Sequence, residues 1–277
     1  MTTVDRDRVI GTLAQMSPHE VYAPDPTARD RSIEFELVFN VRDLGGLPVS
    51  SGGSIRRGHL YRGDGVHRLA GDDLERARGL GLRTVVDLRT AAEIERSRRF
   101  PVEEHPVEWL HLPILHRMWS EDDLVATTGA VDFLRERYLD MLGSGAESIA
   151  RIVDLVADGT PLLFHCAAGK DRTGVVAAVL LGLAGVPRDD IAADYHATAG
   201  AMAAFVDWLT VTYPEALDSM TSQPPEYLEA PQDAMATFLD EVDARYGSME
   251  AYVLGLGVDA ESIDALRAAL VDQPARD

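Results

Sequence analysis

The stretch that most constrains this chain runs from Pro161 to Pro187. Pro161-Leu-Leu-Phe-His-Cys166 is an apolar run of strand length that enters a loop at Gly169. A second apolar segment opens near Arg172-Thr173, runs through Val175 to Leu183, and meets Gly185 and Pro187, the residues that stop helices. A strand apolar on both faces, a tight loop and a buried helix belong to a mostly parallel sheet flanked by helices. The expected fold class is therefore α/β.

The rest of the chain supplies further pieces. Ile33 to Asn40 reads as a strand, Asn40-Val-Arg-Asp-Leu-Gly-Gly46 as a loop, and Ser50-Ser-Gly-Gly53 as a hairpin-like turn. Leu60-Tyr-Arg62, Thr84-Val-Val-Asp-Leu-Arg89 and Trp109 to Ile114 are further strand candidates. Asp72 is expected to cap a helix running to about Leu80 and ended by Gly81. Residues 118–158 read as helices broken around Gly143 to Gly145, and Asp189 or Asp190 as the cap of a helix to about Thr212. Pro224-Pro225 and Pro231 mark a loop. Helices follow near 232–246 and 261–271, with Ser248 a cap before Met249. Residues 1–32 are polar and read as a short helix near Arg6 to Gln15 followed by an irregular arm. The whole of 1–277 is expected to be one domain, with the helical stretch 190–250 an elaboration on its core.

Composition narrows the function. The formal net charge of -20 argues against nucleic acid as a partner and against an electrostatic anchor to anionic membrane. No apolar stretch approaches the ~18 residues of a membrane span. The first 15 residues lack the apolar run of a signal peptide, so the cytoplasm is the default compartment. One cysteine, Cys166, excludes an intrachain disulfide and any multi-cysteine metal site. Of 26 basic residues one is lysine, Lys170, four positions from that cysteine. The single asparagine, Asn40, receives no role from the sequence.

The chemistry concentrates in His165-Cys-Ala-Ala-Gly-Lys-Asp-Arg-Thr-Gly174. Gly169 permits a tight turn whose amides, with the following helix N-terminus, make a concavity for one phosphate. Arg172 offers a planar fork for two phosphoryl oxygens. Cys166 faces the same point, and the positive field favours the thiolate that attacks phosphorus. Thr173 is positioned to donate a hydroxyl hydrogen bond to the sulfur. His165 is expected to orient the loop rather than act as a base. Lys170 adds a second cation at the rim. Asp87 ends a central strand, where ligands approach α/β sheets, and is a candidate proton donor or else the ion-pair partner of Arg89 or another arginine. Asp43, Asp64 and Asp194 are weaker candidates for the donor. His105, His111 and His116 have no metal-ligand spacing, so neither a metal nor another cofactor is expected.

The HCxxGKDRTG segment resembles the signature of cysteine-dependent phosphatases. With Asn40 to Gly46, Leu60 to Arg62, Thr84 to Thr90 and Tyr246-Gly-Ser-Met-Glu-Ala-Tyr252, it resembles the bacterial tyrosine-protein phosphatase family, mycobacterial members included. The likeness spans roughly residues 33–272; Gly63 stands where that family suggests a serine. The resemblance implies the cysteine-phosphatase fold, Cys166 as nucleophile, Arg172 as phosphate clamp and Asp171 as the acid. It also implies a cradle of amides from Ala167, Ala168, Gly169, Lys170, Asp171 and Arg172, with Thr173 and Gly174 completing the substrate-binding segment. Residues 195–245 are the candidate helical lid. Phosphotyrosine protein is the implied substrate; Lys170 extends the expectation to phosphoinositides, beside phosphoserine and phosphothreonine. The alternatives are a phosphate-binding pseudophosphatase and a rhodanese-like sulfurtransferase.

Overall fold

A computed structural model describes residues 30–117, 129–212 and 229–272. In chain order the elements are β1 (Arg42–Asp43), β2 (Ser54–Ile55), β3 (Leu60–Gly63), α1 (Gly71–Arg78), β4 (Thr84–Asp87), α2 (Ala91–Arg96) and β5 (Glu108–His111). Then come α3 (Ala130–Ser144), α4 (Ala146–Ala157), β6 (Leu162–His165), α5 (Asp171–Ala184), α6 (Arg188–His196), α7 (Thr198–Thr212), α8 (Gln232–Tyr246), α9 (Met249–Gly255), α10 (Ala260–Leu270) and β7 (Val271–Asp272). The helix expected near Arg6 to Gln15, Pro224-Pro225 and the start of the 118–158 helices fall outside the described residues.

The main sheet has the order β1-β3-β6-β4-β5, antiparallel only between β1 and β3. A second pairing, β2 with β7, ties Ser54 to Asp272 and Ile55 to Val271. Alternation along the strands explains the two-sided burial. Leu60, Val86, Leu162 and Phe164 enter the larger core, whereas Tyr61, Val85 and Leu163 enter the smaller core on the other face. Helix α5 is buried on nearly every side because it lies between the sheet and the outer helices, which is why its sequence is apolar all round. It stops at Gly185, whose φ of 86° is left-handed and free of strain in glycine.

Several expectations change. Ile33 to Asn40 is not a strand, because the amides of Glu36, Phe39 and Asn40 are taken by side chains. Glu36 N donates to Asp73 Oδ2 at 2.8 Å, and Asn40 N to Asp64 Oδ1 at 3.0 Å. The adjacent pair Arg42–Asp43 joins the sheet instead. Asp72 lies inside α1, whose N-cap is Ala70, and Pro187 rather than Asp189 or Asp190 caps α6. The long helix to Thr212 is two helices, separated at Ala197. Ser248 does cap α9, accepting from Ala251 N at 2.9 Å.

The register decides where a site can form. Gly63, His165 and Asp87 lie abreast at the carboxyl ends of β3, β6 and β4. Loops leaving neighbouring parallel strands there diverge, and the crevice between them is where open α/β sheets bind ligands.

Candidate active site

The loop from Cys166 to Arg172 leaves β6 at that crevice and becomes the first turn of α5. Gly169 turns it, with φ of 68°. A Cβ there would stand 2.8 Å from both Asn40 Nδ2 and the Gly63 carbonyl oxygen, so the close approach excludes any side chain. No side chain caps α5, and its first-turn amides have no acceptor within the helix. The Gly174 amide makes an intrahelical bond, to Lys170 O at 2.7 Å.

For loop amides to face inward, the carbonyls must face outward, and each buried carbonyl needs a donor. Asn40 Nδ2 donates to Ala168 O and Gly169 O, both at 3.1 Å. Arg62 Nη2 donates to Gly169 O at 2.8 Å, and His165 Nδ1 to Cys166 O at 3.1 Å. Asn40 is itself held by Arg42, whose Nη1 donates to Asn40 Oδ1 at 2.5 Å. The base of this floor is Asp194 on α6. It accepts from Arg31 Nη1 at 2.9 Å, Arg42 Nε at 3.1 Å and Arg62 Nη1 at 2.8 Å, all fully buried. Burial raises the Asp194 pKa, but the three guanidiniums outweigh it and hold the carboxyl well below the usual range. Burial and Arg42 bring Arg62 down to about 10, against the pull of Asp194 and the Cys166 sulfur.

The other side of the loop is built differently. Arg172 Nη1 and Nη2 donate to Glu93 Oε2 at 2.6 Å and Oε1 at 2.9 Å, a bidentate pair. Glu93 is placed by a capping box at the start of α2: Thr90 N donates to Glu93 Oε2 at 2.8 Å, and Glu93 N to Thr90 Oγ1 at 3.3 Å. Burial raises the Glu93 pKa, yet hydrogen bonds and charge from Arg172 bring it down to about 2. The same pairing, with Cys166, holds Arg172 above its usual value despite burial. The guanidinium Nε takes no part in the Glu93 pair.

Asp171 opens α5. Its Oδ1 accepts from Tyr138 Oη at 2.7 Å, and Tyr138 and Tyr195 hydroxyls lie 2.5 Å apart in the core. Lys170 Nζ approaches the same Oδ1 at 3.6 Å. Lys170 is 2% exposed, so the rim cation expected from the sequence is instead a buried one, lowered in pKa by that burial while Asp171 pulls it up. Thr173 also departs from expectation: its hydroxyl is buried and bonds to no described residue, the sulfur included. Gly174 packs under Tyr195, whose ring stands 3.0 Å from where its Cβ would be.

The remaining carboxylates are spent on structure. Asp87 forms a two-point pair with Arg89, at 2.9 and 2.6 Å, and lies 3.6 Å from His165 Nε2. Burial raises its pKa, and His165 and Arg89 hold it below the usual range nonetheless. Burial also keeps His165 below the usual histidine range. Asp43 ties the Gly45 and Gly58 amides, and Asp64 the Phe39 and Asn40 amides. His105 packs on Phe100, and His111 bonds to the Arg89 carbonyl.

Beside the loop lies a cavity of about 810 Å³ that Ala167 and Glu93 help to line. Phe205 and Trp208 of α7 form part of its wall, and Phe39, Ala168 and Trp208 pack against the cluster of Met202, Phe205 and Val206. Arg68 sits 4.8 Å from the Trp208 ring centroid and is anchored to Asp64 at 2.6 Å. Sequence reasoning missed Asn40, Glu93 and Arg62 as supports of the loop. Thr90-x-x-Glu93 was a readable capping box; nothing local announced the other two.

Residues 33–272 match the model of a family described as the tyrosine phosphatase family. A Cupriavidus necator protein named as a tyrosine-protein phosphatase is 36% identical over 190 residues, covering 65% of this chain and 69% of that one. A tyrosine-protein phosphatase of Nostoc commune is 29% identical over 215 residues, 73% of this chain and 71% of its own. The triple specificity protein phosphatase PtpB of Mycobacterium tuberculosis is 26% identical over 284 residues, 86% of this chain and 98% of its own.

Proposed function

The chain belongs to the tyrosine phosphatase family, and from that premise we propose that it hydrolyses phosphate monoesters, phosphotyrosine foremost, through a phosphocysteine intermediate and without a metal ion. The observation that carries the mechanism is the outward anchoring of the Ala168 and Gly169 carbonyls by Asn40 and Arg62, which leaves the amide face of the loop for the phosphate. A cradle organised before substrate arrives is what transition-state stabilisation requires.

In the first step the Cys166 thiolate attacks phosphorus. The S–P bond forms as the P–O bond to the leaving group breaks, and Arg172 with the loop amides meets the charge on the equatorial oxygens. Asp171 gives its proton to the departing oxygen. Oδ1 is engaged by Tyr138 and Lys170, while Oδ2 bonds to no described residue, so Oδ2 is the atom assigned to that proton. In the second step Asp171 takes a proton from water, the water oxygen bonds to phosphorus, and the thiolate leaves. Phosphoserine, phosphothreonine and phosphoinositides use the same steps. The burial of Lys170 removes the exposed cation on which the phosphoinositide expectation rested.

The test is turnover of p-nitrophenyl phosphate in the presence of EDTA, which is expected to persist in the wild type and to disappear in Cys166→Ser. Retained turnover in that variant defeats the mechanism. Asp171→Asn separates the acid: it should slow a phosphotyrosine peptide far more than p-nitrophenyl phosphate, whose leaving group needs no proton. Equal slowing of both removes Asp171 from that role.

A further inference from the structure

We propose that the cavity beside the loop is a second anion subsite, in which Arg96 and Arg98 read an acidic or phosphorylated residue flanking the phosphotyrosine of a peptide. The proposal rests on the phosphatase reading above and names the kind of substrate that site prefers.

The cavity begins at Ala167 and at Glu93, the partner of Arg172, and so adjoins the place where the phosphoryl group is held. Arg96 and Arg98 line it as well, as do Phe205 and Trp208. Both arginines are exposed at the end of α2. What sets them apart is that neither has a carboxylate partner among the described residues. Nearby arginines are all committed: Arg89 to Asp87, Arg99 to Glu103 and Arg68 to Asp64. Arg96 donates from Nε to the Ala92 carbonyl at 3.1 Å, and the Arg98 guanidinium bonds to no described residue. In a chain with 46 acidic against 26 basic residues, two neighbouring guanidiniums without acid partners are a local exception.

Their chemistry defines the ligand. A guanidinium with unspent N–H groups pairs with carboxylate or phosphate oxygens in a planar fork. The net charge of -20 repels an anionic substrate at long range, so its capture depends on local cations. The aromatic wall suits the apolar and amide surface of a peptide running away from the phosphotyrosine. At about 810 Å³ the cavity has the scale of a site for more than one side chain. A lipid headgroup is the less fitting occupant, because Lys170, the one lysine of the loop, is buried.

The experiment compares three phosphotyrosine peptides that differ at one flanking residue, alanine, glutamate or phosphoserine, with p-nitrophenyl phosphate and phosphatidylinositol phosphate vesicles in parallel. The wild type should favour the two anionic peptides by roughly fivefold in kcat/KM, the scale of an exposed charge pair. That preference should sit in KM, shrink with added salt, and vanish in Arg96→Gln/Arg98→Gln while p-nitrophenyl phosphate turnover is unchanged. Peptide affinities of Cys166→Ser repeat the comparison without turnover. Hydrolysis that fails while this binding preference remains counts against the phosphatase reading and supports the subsite. Equal handling of the three peptides in both assays, or a preference that survives the double variant, overturns the subsite. Loss of vesicle turnover in the double variant with peptides unaffected also overturns it, by assigning the arginines to lipid.

Discussion

Beneath the loop, four charged side chains and an amide are wholly buried and interlocked; on its cavity side, one carboxylate and a partly exposed aromatic cluster hold it. Both contact the same few residues, yet they constrain different things. The floor of Asn40, Arg31, Arg42, Arg62 and Asp194 fixes backbone carbonyls, and through them the direction of the amides. The wall of Glu93, Phe205 and Trp208 fixes a side chain, Arg172, and the surface next to it. A floor built of buried charges is rigid because any displacement leaves a charge unpaired in low dielectric. A wall in contact with solvent can be altered at smaller cost. The comparison therefore predicts that floor variants lose stability and activity together, whereas wall variants lose activity with less unfolding.

The largest effect is expected at Asp194. Asp194→Ala leaves Arg31, Arg42 and Arg62 without their shared carboxylate, and breaking a buried pair from one side costs about 3–5 kcal/mol. For a chain of this size that lowers Tm by roughly 10 °C, with activity lost in proportion. A thermal melt within a degree or two of wild type would mean the arginines are solvated and the floor is not the rigid side.

Asn40→Ala comes next. It strips donors from two loop carbonyls and an acceptor from Arg42, for about 1–3 kcal/mol. Misdirected amides should reduce kcat/KM by roughly a hundredfold, the scale of a small misplacement at a reacting centre. Asn40→Asp sharpens the point: it keeps the volume but cannot donate to carbonyls, so it should be as inactive as alanine. Kinetics of Asn40→Asp close to wild type would reduce Asn40 to packing.

These two variants also mark what the sequence could and could not disclose. The strand-loop-helix from Leu162 to Ala184 was legible because apolar runs and stop residues are local signals, and the loop chemistry lay in ten consecutive residues. Asn40, Arg62 and Asp194 are linked to one another and to the loop across more than 100 positions of chain, and only the packing of the sheet with α6 brings them together under it. Ile33 to Asn40 has the alternation of a strand, but Asp64 and Asp73 take the amides that a neighbouring strand would need. Lys170 looked like a surface cation because lysine usually is one; its burial follows from Tyr138 and Asp171 packing around the start of α5.

Glu93→Gln has the smallest expected effect and tests the wall. Glutamine keeps one acceptor for Arg172 but loses the bidentate charge pair, which should cost about 1–2 kcal/mol and roughly tenfold in kcat/KM. The loss should depend on pH in a defined direction. The Glu93 carboxyl is brought from 4.5 to about 2 in the fold, so the folded state binds this proton less readily than the unfolded chain. Its contribution is complete above pH 4.5 and disappears as pH falls through about 2. Wild type and Glu93→Gln should thus differ in urea stability at neutral pH and converge on acidification. Asp194 is held lower still by three arginines, so the floor should outlast the wall as pH drops. If the two variants converge with wild type over the same pH range, the floor and the wall are one coupled network, and the division between rigid support and adjustable surface does not hold.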